Sequence, residues 1–366
     1  MKKTIYLIIP MIFMTSGCNN QNNSKEYFKN WNECSSLTAL IEYVEDVTNK
    51  NSTNYIPVED RIATFDMDGT FLTEKPFSMD FLVTKYQIDS VLKDPVLGKQ
   101  INKIIKDYPT GDFDEKTYAK LDILKKKAFG GVSEDSIAET AYKFMTTGAY
   151  DTKKFPNFKN GELFYVPMLE LFQHLQKYDF KIFVVSGSDR SILWGCIKAL
   201  KEVYPSYKFQ LDRIQLIGSD WNLKAKKMTS KNSDYIFQKE DEVVRDTSML
   251  ATSIKMQKVI NIYRQIGKYP VFSGGNMNVR STVTLACGSS VSLTTTSPIV
   301  TNWPPSVSST LCSTMTSRHG LTTSSSPLFV MVHLTVMRPP DVASNGAKTS
   351  VTTRFAHTPV YAPDIS

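Results

Sequence analysis

Two carboxylates two residues apart, Asp66 and Asp68, stand directly after the short apolar run Ile62, Ala63, Thr64 and Phe65. The run reads as a buried strand, and Gly69 lets the chain turn away from its end. In an open parallel sheet, ligands bind in the crevice beyond the carboxyl ends of the strands. Two acids at that point turn one side chain and the backbone carbonyl of the other toward a common centre. Such a centre suits Mg²⁺, which prefers oxygen ligands and keeps room for a substrate phosphate. The plainer reading is an Asp-Gly turn that closes the strand, with Asp68 accepting hydrogen bonds from its own backbone. A second polar group, Ser186-Gly187-Ser188-Asp189-Arg190, follows the apolar run Lys181-Ile-Phe-Val-Val. A serine hydroxyl there, with N–H groups at the start of the next helix, either holds a phosphoryl oxygen or caps that helix. Arg190 reads as a salt-bridge partner or a contact for a substrate acid group.

The elements that must carry these residues follow from periodicity. Leu37, Leu40, Ile41 and Val44 predict an amphipathic helix over Trp31 to Val47, and Asn49 to Asn54 is a turn-rich break. From Pro76 to Lys159 the pattern is helical, with one stripe at Leu97, Ile101, Ile104, Ile105 and Tyr108 and another at Ile137, Ala141, Tyr142 and Met145. Pro109-Thr110-Gly111 and Gly130-Gly131 punctuate these helices. Pro167 starts a helix with its apolar face at Met168, Leu171, Phe172 and Leu175, which leads into the Lys181 strand. Ile192, Cys196, Ile197 and Leu200 continue as a helix, Ile214 to Ile217 is a short strand, and Ser219 to Asp246 is a polar, Lys-rich hairpin and loop excursion. Lys258 precedes Val259, Ile262, Tyr263 and Ile266, a last helix that Gly267 is fit to end.

Asp66-Met-Asp68-Gly69-Thr70 after an apolar strand resembles the first motif of the haloacid dehalogenase (HAD) superfamily. The resemblance implies that Asp66 attacks phosphorus to form an aspartyl-phosphate, while Asp68 protonates the leaving oxygen and later activates water. An acid at Asp68 favours phosphate-ester hydrolysis over halide displacement. Ser186 matches the second motif, so Ser186 and Gly187 are the expected phosphate-binding residues. Lys258 matches the third, neutralising Asp66 and the incoming phosphoryl group, with Lys255 as runner-up. Asp66 and Asp68 are the expected Mg²⁺ ligands. The fold implied is α/β: a doubly wound parallel sheet, the HAD-like Rossmannoid core, with an inserted helical cap over 76–159 that resembles the C1 type. The alternative for the insert is a helical bundle over a sheet edge, and Glu74 and Lys75 at its hinge read as a solvated pair. The function implied is Mg²⁺-dependent hydrolysis of a small phosphorylated substrate. The alternative is a non-catalytic envelope lipoprotein, a pseudoenzyme that binds a phosphorylated or anionic ligand.

Residues 25–75 hold the first helix and strand, and 160–278 the rest of the core. The net charge of +7 is modest for 366 residues and its lysines are scattered, so nucleic-acid binding is not expected. Lys2, Lys3 and the apolar run from Ile5 to Phe13 predict a signal peptide. Thr15-Ser16-Gly17-Cys18 resembles a bacterial lipobox, which implies lipidation of Cys18 and a lipid-anchored protein of the cell envelope, periplasmic or outer-membrane side. The alternative is ordinary signal cleavage. Residues 1–24 would then be signal and tether. Cys34, Cys196, Cys287 and Cys312 have no metal-ligand spacing, and Cys196 reads as a core residue.

Tyr269-Pro270-Val-Phe-Ser-Gly-Gly-Asn276 resembles the family's fourth strand and Gly-Asn turn, but no acid follows within reach. From Val279 onward, 32 of the 88 residues are Ser or Thr, and the acids are Asp341 and Asp364 alone. Either 279–366 is a disordered or glycosylated stalk, or the reading frame shifts near Asn278 and the fourth motif is lost. The nearest candidates in sequence to complete a metal site in its place are Asp220 and Asp246.

Overall fold

The computed structural model describes residues 26–74, 76–147, 159–208, 210–228 and 234–275, together with the backbone of three strands further on. The expected signal peptide, Cys18, Lys75, the turn at Asn276, Cys287 and Cys312 lie outside the described residues.

The core is α/β, with a mixed sheet that is mostly parallel and Rossmann-like. Its central strand β1 (Ile62–Phe65) is buried along its whole length, which explains why it reads as an unbroken apolar run. It lies parallel to β2 (Lys181–Asp189) on one side and to β5 (Phe272–Gly275) on the other. β2 pairs in parallel with β3 (Leu216–Ala225), and β3 turns back as an antiparallel hairpin into β4 (Val243–Ala251). The order is therefore β4-β3-β2-β1-β5, and antiparallel β7 (Phe329–Met337) covers the outer edge of β5, with β6 (Ser290–Val291) and β8 (Thr353–Ala356) paired to it. The β7 stretch lies in the segment expected to be disordered or out of frame, and its apolar, β-branched composition suits a strand that pairs an open edge.

Helix α1 (Ser35–Thr48) starts four residues later than its periodicity implied. Between β1 and β2 come α2 (Met79–Tyr86), a π-helical turn at Gln87–Leu92, α3 (Pro95–Asp107), α4 (Glu115–Phe129) and α5 (Glu134–Thr147). Local chemistry sets their starts. Asp94 accepts from the N–H groups of Val96 and Leu97 ahead of Pro95, and Asp114 accepts from Thr117 N–H at 2.7 Å. α6 (Val166–Lys177) and α7 (Arg190–Val203) flank β2, and α8 (Met256–Ile266) ends at Gly267 in the left-handed region, φ 74°.

The inserted helices are packed on the core. At Gly195 of α7, an added Cβ would lie 2.1 Å from Ala138 O and 2.6 Å from Ala141 Cβ of α5, so only glycine allows the two helices to approach this closely. The insert enters and leaves side by side, with Tyr165 N–H bonded to Phe71 O, Thr73 N–H bonded to Leu163 O, and Phe71 stacked on Phe164. Three sequence expectations are corrected here. β2 runs on through Ser186 to Asp189 with an irregular register, so α7 begins at Arg190 and is capped by Asp189, not by Ser186. β3 is longer than Ile214 to Ile217 because its outer half pairs with β4 beyond the sheet. The stripe on α8 buries Ile262 while Tyr263 is exposed, since the helix covers only the rim of β2 and β3.

Candidate active site

Asp66 sits at the carboxyl end of β1, where its N–H donates to Gly274 O of β5 at 2.9 Å. One carboxylate oxygen accepts from Met67 N–H at 2.8 Å, and the other is 2.9 Å from the Lys258 ammonium. Lys258 lies in the first turn of α8, so the packing of that helix beside the sheet aims an ammonium at an acid 192 positions away in sequence. Lys255 instead caps α8 with a positive φ of 48°.

Asp68 faces the opposite way, toward the end of β2. Its Oδ2 accepts from the hydroxyls of Ser186 at 3.1 Å and Ser188 at 2.7 Å, and its Oδ1 faces Met79 N–H, at the start of α2, at 3.4 Å. Burial, above all, pushes its carboxyl up to about 6; the negative charges of Asp66 and Asp80 add to this, and the bonds from Ser188 and Met79 oppose it. A carboxyl poised there holds and gives up a proton near neutral pH. The turn reading, in which Asp68 is served by its own backbone, is therefore corrected: its partners come from β2 and the insert.

The Ser186 hydroxyl also accepts from Ser188 N–H at 3.0 Å, which bends the loop around it. A Cβ at Gly187 would meet Ile254 Cγ2 at 2.9 Å, so any larger residue there would have to push the exposed Ile254 side chain aside. Ser219 ties this loop down by donating to Gly187 O at 2.7 Å. Arg190 pairs with Asp220, Nε to Oδ1 at 2.8 Å. Asp220 is thereby engaged away from Asp66, and Asp246 faces Lys224 at 3.6 Å on the hairpin, so neither acid joins the centre. Among the described residues, no group of three or more His, Cys, Asp and Glu side chains is placed to hold a metal ion. The expected donors, the Asp66 carboxylate and the Asp68 carbonyl, are hard oxygens of the kind Mg²⁺ prefers, and two of them alone would leave it dependent on water and substrate for the rest.

Sequence reasoning missed Ser188, Asp80 and Lys125. Asp80 Oδ1 accepts from Asp189 N–H at 3.3 Å, and its other oxygen binds the Lys125 ammonium of α4. Cys196 is buried, as expected, and burial pushes its thiol far up. No described helix is long and apolar enough to cross a membrane.

No family profile matches the chain, and no curated relative matches it either. Six solved chains do. A protein of unknown function from Bordetella pertussis Tohama I is 12% identical over 56% of this chain and 73% of its own, with a TM-score of 0.33. A functionally unknown protein from Anaerococcus prevotii DSM 20548 is 11% identical over 69% of this chain and 81% of its own, with a TM-score of 0.38. A phosphoserine phosphohydrolase-like protein from Francisella tularensis subsp. tularensis SCHU S4 is 18% identical over 44% of this chain, with a TM-score of 0.24, and this chain spans 59% of its length. Likeness at these scores decides neither fold nor function; the case for function rests on the residues around Asp66.

Proposed function

We propose that the chain is a phosphate-monoester hydrolase of HAD type. The observation that carries this reading is the convergence of Asp66, Asp68, Ser186 and Lys258, from the ends of β1 and β2 and one helix start, on one end of the parallel strands. Asp66 attacks phosphorus as the ester P–O bond breaks, and Asp68 gives its proton to the leaving oxygen. Asp68 then takes a proton from water, which attacks the aspartyl-phosphate and frees Asp66 and inorganic phosphate. Ser186 and the Gly187 N–H hold a phosphoryl oxygen, and Lys258 offsets the charge of Asp66 and the transferring group. Mg²⁺, held by Asp66 and the Asp68 carbonyl, would supply further neutralisation of that charge. The helices between β1 and β2 act as the cap that excludes water, a role supported by the contact of α2 with Asp68. Lipidation at Cys18 would anchor the protein in the cell envelope.

A second reading, a binding protein without turnover, is favoured by one feature. After Gly275 the sequence offers no acid before Asp341, so a further metal carboxylate is missing if the frame is shifted near Asn278. One experiment addresses both readings. Beryllium fluoride with Mg²⁺ should raise the melting temperature, and Asp66→Ala should abolish that rise, because a ligand of the folded state alone stabilises it. Phosphate release from an aryl phosphate then separates hydrolase from binder. Equal protection in Asp66→Ala removes Asp66 as nucleophile.

A further inference from the structure

The guanidinium of Arg245, on hairpin strand β4, is enclosed together with the Asp189 carboxylate, each with 1% of its surface exposed. All three of its nitrogens are engaged. Nη1 and Nη2 grip the Asp189 carboxylate at 2.5 and 3.0 Å, while Nε and Nη2 reach Glu134 Oε1 of the insert at 2.9 and 2.8 Å. Phe129 of the insert and Trp221 of β3 flank the group, 5.8 and 5.2 Å from ring centre to guanidinium carbon. The backbone of the same residue joins the insert as well: Arg245 N–H donates to Val132 O and Gly131 N–H donates to Arg245 O, both at 2.9 Å. One residue thus fastens hairpin, insert and core together.

Asp189 spends its other lone pairs on Trp221 Nε1 at 2.8 Å and on Ser191 N–H at 3.0 Å. It is also the neighbour of Ser188, the shortest contact of Asp68. On the insert side, Glu134 further accepts from the Ser191 hydroxyl, and Asp80, which accepts from Asp189 N–H, is the neighbour of Met79, the third donor to Asp68. Both arms of the network therefore end one residue from a donor to Asp68. A buried ion triad gains little net stability over apolar residues of the same shape, because desolvation offsets the attraction. What it specifies is position, and a planar fork that grips two carboxylates specifies more than a point charge does.

We propose that Arg245 is a positioning residue for the Asp68 centre: it holds the Ser188 loop and the insert in one register, so that Ser188 and Met79 reach the Asp68 carboxylate together. The catalytic consequence rests on the hydrolase reading; the mechanical one does not. The tests are Arg245→Lys, which keeps the charge but loses the fork, and Glu134→Gln, which loosens the insert while leaving Arg245 on Asp189. Amide hydrogen exchange is followed at Met79, at Gly131 and in α5, with β1 as the internal reference, and binding of beryllium fluoride with Mg²⁺ is measured alongside. Breaking a buried pair should speed exchange in the insert about a hundredfold in Arg245→Lys, with Glu134→Gln changing in the same places by less and β1 changing far less than either. Analogue binding should weaken in the same order. Acceleration of equal size in the insert and β1 would make Arg245 a general stabiliser and overturn the proposal, as would unchanged exchange in both variants. Selective loosening of the insert in a protein whose wild type ignores the fluoride analogue would support the positioning role and remove the hydrolase reading instead.

Discussion

Replacing Asp68 by Asn should make the metal-free protein more stable. The folded-state pKa of Asp68 is raised from 3.8 to about 6, chiefly by burial. Between those values the folded protein holds a proton that the unfolded chain releases, so the favourable contribution of the protonated carboxyl is present at low pH and is lost as pH rises through about 6. Above 6 the ionised group stays in place at a cost. Two units at ~1.4 kcal/mol each set the upper bound near 3 kcal/mol, and the partial exposure of Asp68 to water brings the working figure to about 1–3 kcal/mol. Asn keeps the shape and its carbonyl accepts from Ser186 and Ser188. Its amide then faces Met79 N–H, but that contact is long at 3.4 Å, so little is lost. The assay is urea unfolding of wild type and Asp68→Asn with chelator present, at intervals from pH 4 to pH 7.5. The variant should be more stable at pH 7.5, and the gap should close toward pH 4. A gap that does not vary with pH, or a less stable variant at pH 7.5, would refute the account of Asp68 as a carboxyl strained by burial.

Other outcomes are expected elsewhere. Lys258→Met leaves Asp66 without its cation and should cut any phosphatase turnover by about 10²–10³-fold, measured as phosphate release, with little change in melting temperature. Gly195→Ala should destabilise by about 1–3 kcal/mol in urea unfolding, because the clash with backbone atoms of α5 outweighs the helix propensity of alanine. His174 lies fully buried beside Phe28 and Tyr178, with neither ring nitrogen bonded among the described residues. Burial, with help from Lys177, holds its pKa down at about 4, so stability present above pH 6.5 is lost as pH falls toward 4, and His174→Phe should flatten that loss in acid unfolding.

The parts of the fold that came through in sequence are those where one local rule suffices. A central parallel strand is apolar on both faces, so Ile62 to Phe65 was legible, and the acids behind it had to lie at a strand end. The stripes at Leu97, Ile101 and Ile104 and at Ile137, Ala141 and Met145 are buried as their spacing implies. What stayed hidden is polar and depends on pairing across the chain. Arg245 stands in a Lys-rich excursion that reads as solvated, yet it is buried because Asp189 and Glu134, 56 and 111 positions away, meet it. Ser188 looked like one more residue of a polar loop, since nothing local shows that β2 carries on past Ser186 and turns its hydroxyl to Asp68. Lys258 was legible only through its order relative to the other motifs; surface lysines are abundant, and of the helix stripe behind it only Ile262 is fully buried.

The charges around the centre bear on how the two functional readings divide. Asp66, Asp68 and Asp80 bring three negative charges, and Lys258 and Lys125 bring two positive ones, which leaves the centre negative by one when Asp68 is ionised. A phosphate dianion entering such a site meets repulsion that Ser186 and a few backbone N–H groups do not overcome alone. Protonation of Asp68 removes one negative charge, and a divalent cation would remove two more and reverse the sign. Anion and cation binding are therefore coupled through the same few ångströms: each should tighten with the other, by the reciprocity that linkage requires. A further carboxylate would raise cation affinity without altering the anion's own contacts to Ser186 and Lys258. Its loss would weaken the pair in concert, so the distinction between hydrolase and binder becomes one of cation concentration as much as of residue identity. Titrating the fluoride analogue at several Mg²⁺ concentrations reads that coupling directly, and analogue affinity independent of Mg²⁺ would show that the negative balance at Asp66, Asp68 and Asp80 does not govern the site.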